Sequence, residues 1–435
     1  ADQIARTECA ATYNTSLGCQ ALQNLAAGAN YNTALGAEAG TSLTTGDRNI
    51  AIGYRTLALE DTGSDNVAIG QHALEDLNYA GSGHNVAIGS NAGRDITTGV
   101  TNTLIGSYCG DALTTGIRNV ALGYYALTAE DGHGYNTAIG TYTLANQNAG
   151  ADAYNVAVGY EAGYNITTGI YNTIIGGLAG DALTAGSYNV AIGESALSAE
   201  DGHGFNVAIG RRALQSLNAG ADAYNVAVGY DAGKTISTGV RNTIIGSLAG
   251  DGLTSGSYNV ALGYETLSIG NTTSKSVAIG YRALRALDDG GDAYNVAVGY
   301  DAGVAVTTGV DNVFIGGGAG DAVTTSGRNV AIGREAFSTE DDVGYVVAVG
   351  YQALRNQNAG GNTYNVAVGY NAGETVSTGT QNTLVGSLAG DALSTGDRNV
   401  ALGYLALSTE DAGDRNVAIG TEALKSQDGS NYNVA

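Results

Sequence analysis

The hydrophobic positions of this chain come in short bursts. A typical word is Asn66-Val67-Ala68-Ile69-Gly70, in which two branched residues alternate with small ones before a polar, glycine-rich stretch follows. Alternation over so short a run predicts a β-strand, and Val, Ile and Thr are residues that strands favour. Val67 and Ile69 would share one face and fill an interior, while Asn66, Ala68 and Gly70 would share the other. Small residues on an outer face permit close approach of another backbone. Several chains around a common axis are therefore expected, with a single-chain solenoid flanked by Ala as the alternative.

The word recurs at Asn14, Asn32, Asn49, Asn66, Asn85, Asn102 and onward to Asn433, and only Ser276 and Val346 depart from Asn. Gly stands four places later in all 24 complete words. After a first group of 18, 17, 17 and 19 the steps run 17, 17, 17 and 19, so four words make 70 residues. Thus "YNVAVGYEAGYNITTG" at 154–169 returns as "YNVAVGYDAGKTISTG" at 224–239. One strand word per period predicts an all-β, parallel β-solenoid (β-roll) of about 25 coils, with equivalent residues stacked ~4.8 Å apart. Helical repeats need units of about 30 residues or more, and each Gly would cost a helix ~1 kcal/mol. At ~4.8 Å per coil the solenoid would span roughly 115–120 Å. Residues 1–13 are expected to form a cap or junction, and residues 14–435 one continuous solenoid. The last word is cut at Ala435, so the repeat is expected to continue beyond it.

Asn66, Asn85, Asn102, Asn119, Asn155, Asn225, Asn295 and Asn365 are expected to form a ladder through their side-chain amides. Gly70, Gly89, Gly159 and Gly229 would turn the chain or let it pack closely. Thr-Thr-Gly at 97–99, 167–169 and 307–309 reads as a second corner. The 70-residue period appears in charge as well, with Asp111, Asp181, Asp251, Asp321 and Asp391 in one series and Glu130, Glu200, Glu340 and Glu410 in another, Gly270 being the exception. Acids stacked in every coil would repel by roughly 1 kcal/mol per pair, whereas four coils set them ~19 Å apart, beyond the ~8 Å screening length. The 19-residue coil carries its extra residues in stretches such as "LNAGADAY". Asn148, Asn218, Ala219, Asp222 and Asn358 there are candidate contacts for a receptor, a glycan or a neighbouring fibre, against the alternative of tolerated loops.

Composition narrows the function. The 435 residues include 68 Gly and 27 Tyr, with no Pro, Met or Trp, and the net charge is −23. Such acidity argues against nucleic-acid phosphates, and no apolar run approaches the ~20 residues of a membrane span. Cys9 and Cys19 could pair outside the cytoplasm; Cys109 replaces the Ala of the repeat and reads as a buried, inert thiol. His133 and His203 are 70 residues apart in "EDGHG", copies of one feature. Glu200-Asp201-Gly202-His203 offers calcium ligands without the spaced acids of a calcium loop; no other cofactor is expected. The glycine stretches lack the Lys of a phosphate loop, and no Ser/His/Asp set stands out from the repeat. The chain reads as a non-enzyme.

The pattern "NVAIGxxAL…GxxNVAIGxxA", as in Asn189–Ala213, resembles two groups. One is the head of trimeric autotransporter adhesins, whose "SVAIG…A" words build a left-handed β-roll from three chains. The other is the repeat region of phage tail fibres and of surface proteins ending in a self-cleaving endosialidase-type chaperone. The likeness runs from about Tyr13 to Ala435. This chain differs in its longer coil, its Asn where the adhesin heads commonly carry Ser, and its 70-residue super-period. The resemblance implies a structural fibre or adhesin shaft, extracellular, at a cell surface or on a virion, that forms a homotrimer and displays a receptor-binding element. The alternatives are an extracellular filament joined end to end and an ice- or glycan-binding solenoid.

Overall fold

The computed structural model describes residues 13–339, 344–409, 411–427 and 429–435. They contain 24 three-residue strands, from Thr15–Leu17 to Val417–Ile419, and no helix. The expected cap at residues 1–13 lies, apart from Tyr13, outside the described residues. The chain divides into two units, residues 1–222 and 223–435. Strands β1 (Thr15–Leu17) to β12 (Val207–Ile209) belong to the first, and β13 (Val226–Val228) to β24 (Val417–Ile419) to the second.

Within each unit every strand pairs in parallel with the next, which makes each unit a parallel β-solenoid with one strand per coil. In the first, Thr103 lies opposite Val120, 17 residues on, and Val67 lies opposite Val86, 19 residues on. In the second, Val296 lies opposite Val313 and Val277 opposite Val296. The longer coil thus holds register and places its two extra residues in the return loop.

The faces of the strand are the reverse of the expected assignment. Asn66 and Ala68 are fully buried, while Val67 and Ile69 on either side of Ala68 are half-exposed. The same order holds along the column, with Ala87, Ala121, Ala157, Ala191, Ala227 and Ala297 at 0% exposure. The reason is the width of the coil. Seventeen residues enclose little space, and Leu57, Leu74, Ile96 and Leu113 from the turns already occupy it, so the strand can offer only a methyl group or a hydrogen-bonded amide. The branched residues stay outside, where their stiff χ1 and β-preference still favour the strand.

Core volume explains why the repeat is four coils long. Once per 70 residues the strand centre is large: Leu104, Ile174, Ile244, Phe314 and Leu384, all buried. In those coils the turn carries Gly instead of Leu. A Cβ on Gly110 would lie 2.9 Å from Leu104 Cδ2, and one on Gly180 would lie 3.1 Å from Ile174 Cδ1. Where the strand centre is Ala, as at Ala121 and Ala191, the turn supplies Leu127 and Leu197. The intervening coil has Ala157 and Gly163, and its space is taken by Leu144 from the coil before and by Ile166 from its own corner. Close packing forces these exchanges, because a core tolerates neither a void nor an overlap of a few methyl groups.

The charge account of the super-period needs correction. Asp251 stands near Asp231 and Glu265, Asp321 near Asp301 and Glu335, and Asp391 near Glu374. Spacing within one column does not separate like charges when other columns carry acids at the same level.

The backbone holds a feature the sequence concealed. In each coil several non-glycine residues adopt the left-handed region, among them Tyr154 (φ 52°), Glu161 (φ 54°) and Leu197 (φ 53°). Each costs roughly 1–2 kcal/mol in isolation. The N–H groups of Glu161 and Leu197 bond across rungs, to Thr141 O and to Ala213 O, each at 3.0 Å, and the stacked coils hold the conformation in place.

Candidate functional site

The Asn column is an internal seam. Asn85 Oδ1 accepts the backbone N–H of Asn102 at 3.0 Å, and Asn102 Nδ2 donates to Gly116 O at 2.8 Å, across its own coil. The pattern repeats through Asn119 and Asn155 in the first unit and through Asn242, Asn312 and Asn382 in the second. Amide-to-amide contacts are secondary, as from Asn66 Nδ2 to Asn49 Oδ1 at 3.3 Å. Most of these Asn therefore bond the strand of the next coil and pin the second corner of their own, whereas Asn66 and Asn206 turn Nδ2 to Ser64 O and Gly204 O instead. Asn225, Asn295 and Asn365 pin Gly239, Gly309 and Gly379 in this way. Gly70 (φ 132°) leaves no room for a side chain: a Cβ would come within 2.4 Å of Gly89 O. Gly89, Gly159 and Gly229 are similarly confined by the next glycine of the column.

Of the candidate loop contacts, Asn148, Asn218, Asp222 and Asn358 are exposed and Ala219 is half-exposed. The loops are anchored, with Asp222 Oδ1 accepting the Gly204 N–H at 3.0 Å and the Asn148 N–H donating to Thr167 O at 2.9 Å. Beneath them lies a set of buried carboxylates, of which the sequence shows Glu130 and Glu200 only as members of a charge series. Glu60, Glu130 and Glu200 are fully buried, and burial pushes each carboxyl above its ordinary range. Each accepts a backbone N–H three residues on and another from the loop of the following coil, at Tyr79, Ala149 and Ala219. Gly270, the exception, could carry no side chain, since a Cβ would lie 1.9 Å from Leu287 O. There Asp289 in the loop supplies the acid instead and is hydrogen-bonded to the Thr273 hydroxyl. The carboxylate has changed sides and the tie is kept.

The structure brings Glu200, Asp201 and His203 together, with one ligand atom of each within 4.8 Å of the others, and likewise Glu130, Asp131 and His133. Glu200 Oε1 already receives the His203 N–H at 3.1 Å and lies 3.2 Å from its Nδ1. Two carboxylates, one of them so engaged, fall short of the six to eight oxygens calcium takes. The corner hydroxyls are also engaged: Thr97 donates to Thr114 O at 3.2 Å, Thr167 to Thr184 O at 3.2 Å and Thr307 to Thr324 O at 3.2 Å. Cys109 is buried and Cys19 is exposed; Cys9 lies outside the described residues.

The outer face of the strands is where each unit presents a regular surface. Half-exposed Val, Ile and Leu form two rows, with Val156 at 36%, Ile175 at 37% and Leu262 at 40%. Aromatic columns border them. Tyr135, Tyr154, Tyr171, Tyr188 and Phe205 stack in succession with ring centroids 4.7 to 5.3 Å apart and interplanar angles up to 21°. In the second unit Tyr264, Tyr281 and Tyr300 form a like column after the strand. Rings stacked in this way turn their edges outward, so a column interior offers no face to a ligand. The words "YNVAVGY" held this signal, visible once Val and Tyr are placed on one side.

No protein-family model matches the chain, and no curated protein matches it in sequence.

Proposed function

We propose that this chain is a structural shaft, extracellular or virion-borne, that associates with copies of itself and carries an adhesive or receptor-binding element. One observation supports the reading above others: the branched residues of the strands lie outside, in two half-exposed rows bordered by stacked tyrosines. A solvated strand face would carry charge, and apolar surface of this extent marks an interface. Three chains are the expected number, from the resemblance to adhesin heads.

Sedimentation of the full chain tests the proposal. A particle of about three chain masses (43.6 kDa each) is expected. A variant with Val296, Val298, Val313, Ile315, Val330 and Ile332 all changed to Lys is expected to sediment as a single chain with its β-sheet circular dichroism kept. A wild-type monomer at tens of micromolar would overturn the reading.

A further inference from the structure

The repeat is broken in one place on the outer surface of the second unit. The residue after the strand glycine runs Tyr281, Tyr300, Gly317, Arg334 in successive coils, and the residue after that runs Arg282, Asp301, Gly318, Glu335. Gly317 and Gly318 thus leave a gap one rung high in two neighbouring columns. At the matching positions, multiples of 70 residues away, stand Ala37-Glu38, Ser107-Tyr108, Gly177-Leu178, Ser247-Leu248 and Ser387-Leu388. Only at Gly318 does this column carry no side chain, and a cavity of about 400 Å³ opens there, lined by Tyr300, Asp301, Gly317, Gly318, Asp321, Arg334 and Glu335.

The lining has a definite chemistry. Tyr300 stacks on Tyr281 at 5.1 Å through one ring face. Its other face looks toward Gly317, where a Cβ would meet nothing closer than Tyr300 O at 4.0 Å, and Tyr300 as a residue is 61% exposed. Tyr300 and Arg334 are two rungs apart, roughly 9.6 Å, which leaves space for one flat ring between a phenol and a guanidinium. The wall is made of planar polar groups. Asp301 is held by Arg282 through bonds of 2.9 and 2.6 Å, and Glu335 by Gln352 at 2.7 Å and Arg334 at 3.0 Å. Asp321 Oδ1 is buried and has no hydrogen-bond partner. A Cβ at Gly318 would lie 3.3 Å from Asp321 Oδ2 and 3.7 Å from Glu335 Cγ, so the space that Leu takes elsewhere adjoins both carboxyls here.

We infer that this gap is a binding site for a single saccharide residue, whose ring face packs on Tyr300 and whose hydroxyls donate to Asp321 and Glu335 and accept from Arg334. A sugar has one apolar ring face and in-plane donors, which is what a lone aromatic face with fixed planar acceptors recognises. A small cation fits less well, because Arg334 lines the same gap and two of the three carboxylates are already paired with arginine. Burial raises the Asp321 carboxyl to about 6, in keeping with a group that gains from a hydroxyl donor. The site does not depend on the self-association proposed above, since all of its residues lie on one chain.

Saturation-transfer NMR on the full chain tests this, with methyl α-glucoside, methyl α-mannoside, methyl β-galactoside, N-acetylglucosamine and glucosamine as probes and choline as the cationic control. Transfer to at least one sugar is expected, with Kd on the order of millimolar. Gly318→Leu is expected to weaken binding at least about tenfold by filling the gap. That variant should fold, because Leu178, Leu248 and Leu388 hold the same position at φ 57° and Gly318 has φ 65°. Tyr300→Ser is expected to lose binding as well, and sedimentation of both variants should match the wild type. Transfer to none of the sugars, transfer to choline alone, or sugar binding unchanged in Gly318→Leu would each overturn the assignment.

Discussion

The ring of Phe314 fills the place where a side chain on Gly320 would have to go, since a Cβ built there would lie 2.5 Å from the ring. Strand and turn share one volume, and only one of them can supply the bulk. Phe314→Ala is expected to cost about 3–5 kcal/mol through the cavity it leaves, and Gly320→Leu alone would collide with the ring. The double variant recreates the pairing of Ala261 with Leu267 and should recover most of the loss. Denaturant unfolding, with hydrogen exchange at Val313–Ile315 as the local readout, measures this; strict additivity would refute it.

Asn242 joins two coils through Oδ1, which accepts the Asn259 N–H at 3.0 Å, and pins a corner through Nδ2, which donates to Gly256 O at 2.9 Å. Asn242→Ala strands a buried donor and a buried acceptor. A loss of about 1–3 kcal/mol is expected, with faster exchange of the Asn259 amide. An unchanged amide would show that the seam is not held by this side chain.

Burial raises the Asp251 carboxyl from 3.8 to about 6, with Glu265 and Asp231 adding to the effect. Between those values the folded chain keeps a proton that the unfolded chain has lost. The folded state then binds more protons, and stability falls as pH rises through that window, levelling above about 6. Asp251→Asn is expected to narrow the difference in Tm between about pH 4 and about pH 7. Asp65 works in the opposite sense, because Arg48 and Ser82 lower it to about 2; its stabilisation is present above 3.8 and is lost as pH falls toward 2. A pH profile unchanged by Asp251→Asn would contradict the buried-acid account.

Cys109 Sγ donates to Ala121 O at 3.0 Å, and burial pushes the thiol up to about 12. Hardly any thiolate forms at neutral pH, so alkylation must wait for local opening. In timed labelling, exposed Cys19 is expected to react at the rate of a free thiol and Cys109 orders of magnitude more slowly. Equal rates would mean that the coils around Cys109 open freely.

The recurring Asn and the fixed Gly four places on were enough to read the coil, its length and its parallel register, because stacking requires equivalent residues at equal spacing. The 19-residue coil was legible for the same reason. Which face of Asn66–Gly70 points inward was not, since alternation gives two faces without saying which is which. That was decided by the narrow interior, already occupied by Leu57, Leu74 and Ile96, which admits Ala68 and leaves Val67 and Ile69 outside. The exchange between Phe314 and Gly320, the left-handed turns at Tyr154 and Glu161, and the gap at Gly317 and Gly318 likewise emerge only when one coil rests on another. Periodicity belongs to the sequence; the direction of a side chain and the space left by a missing one depend on neighbours a full coil away.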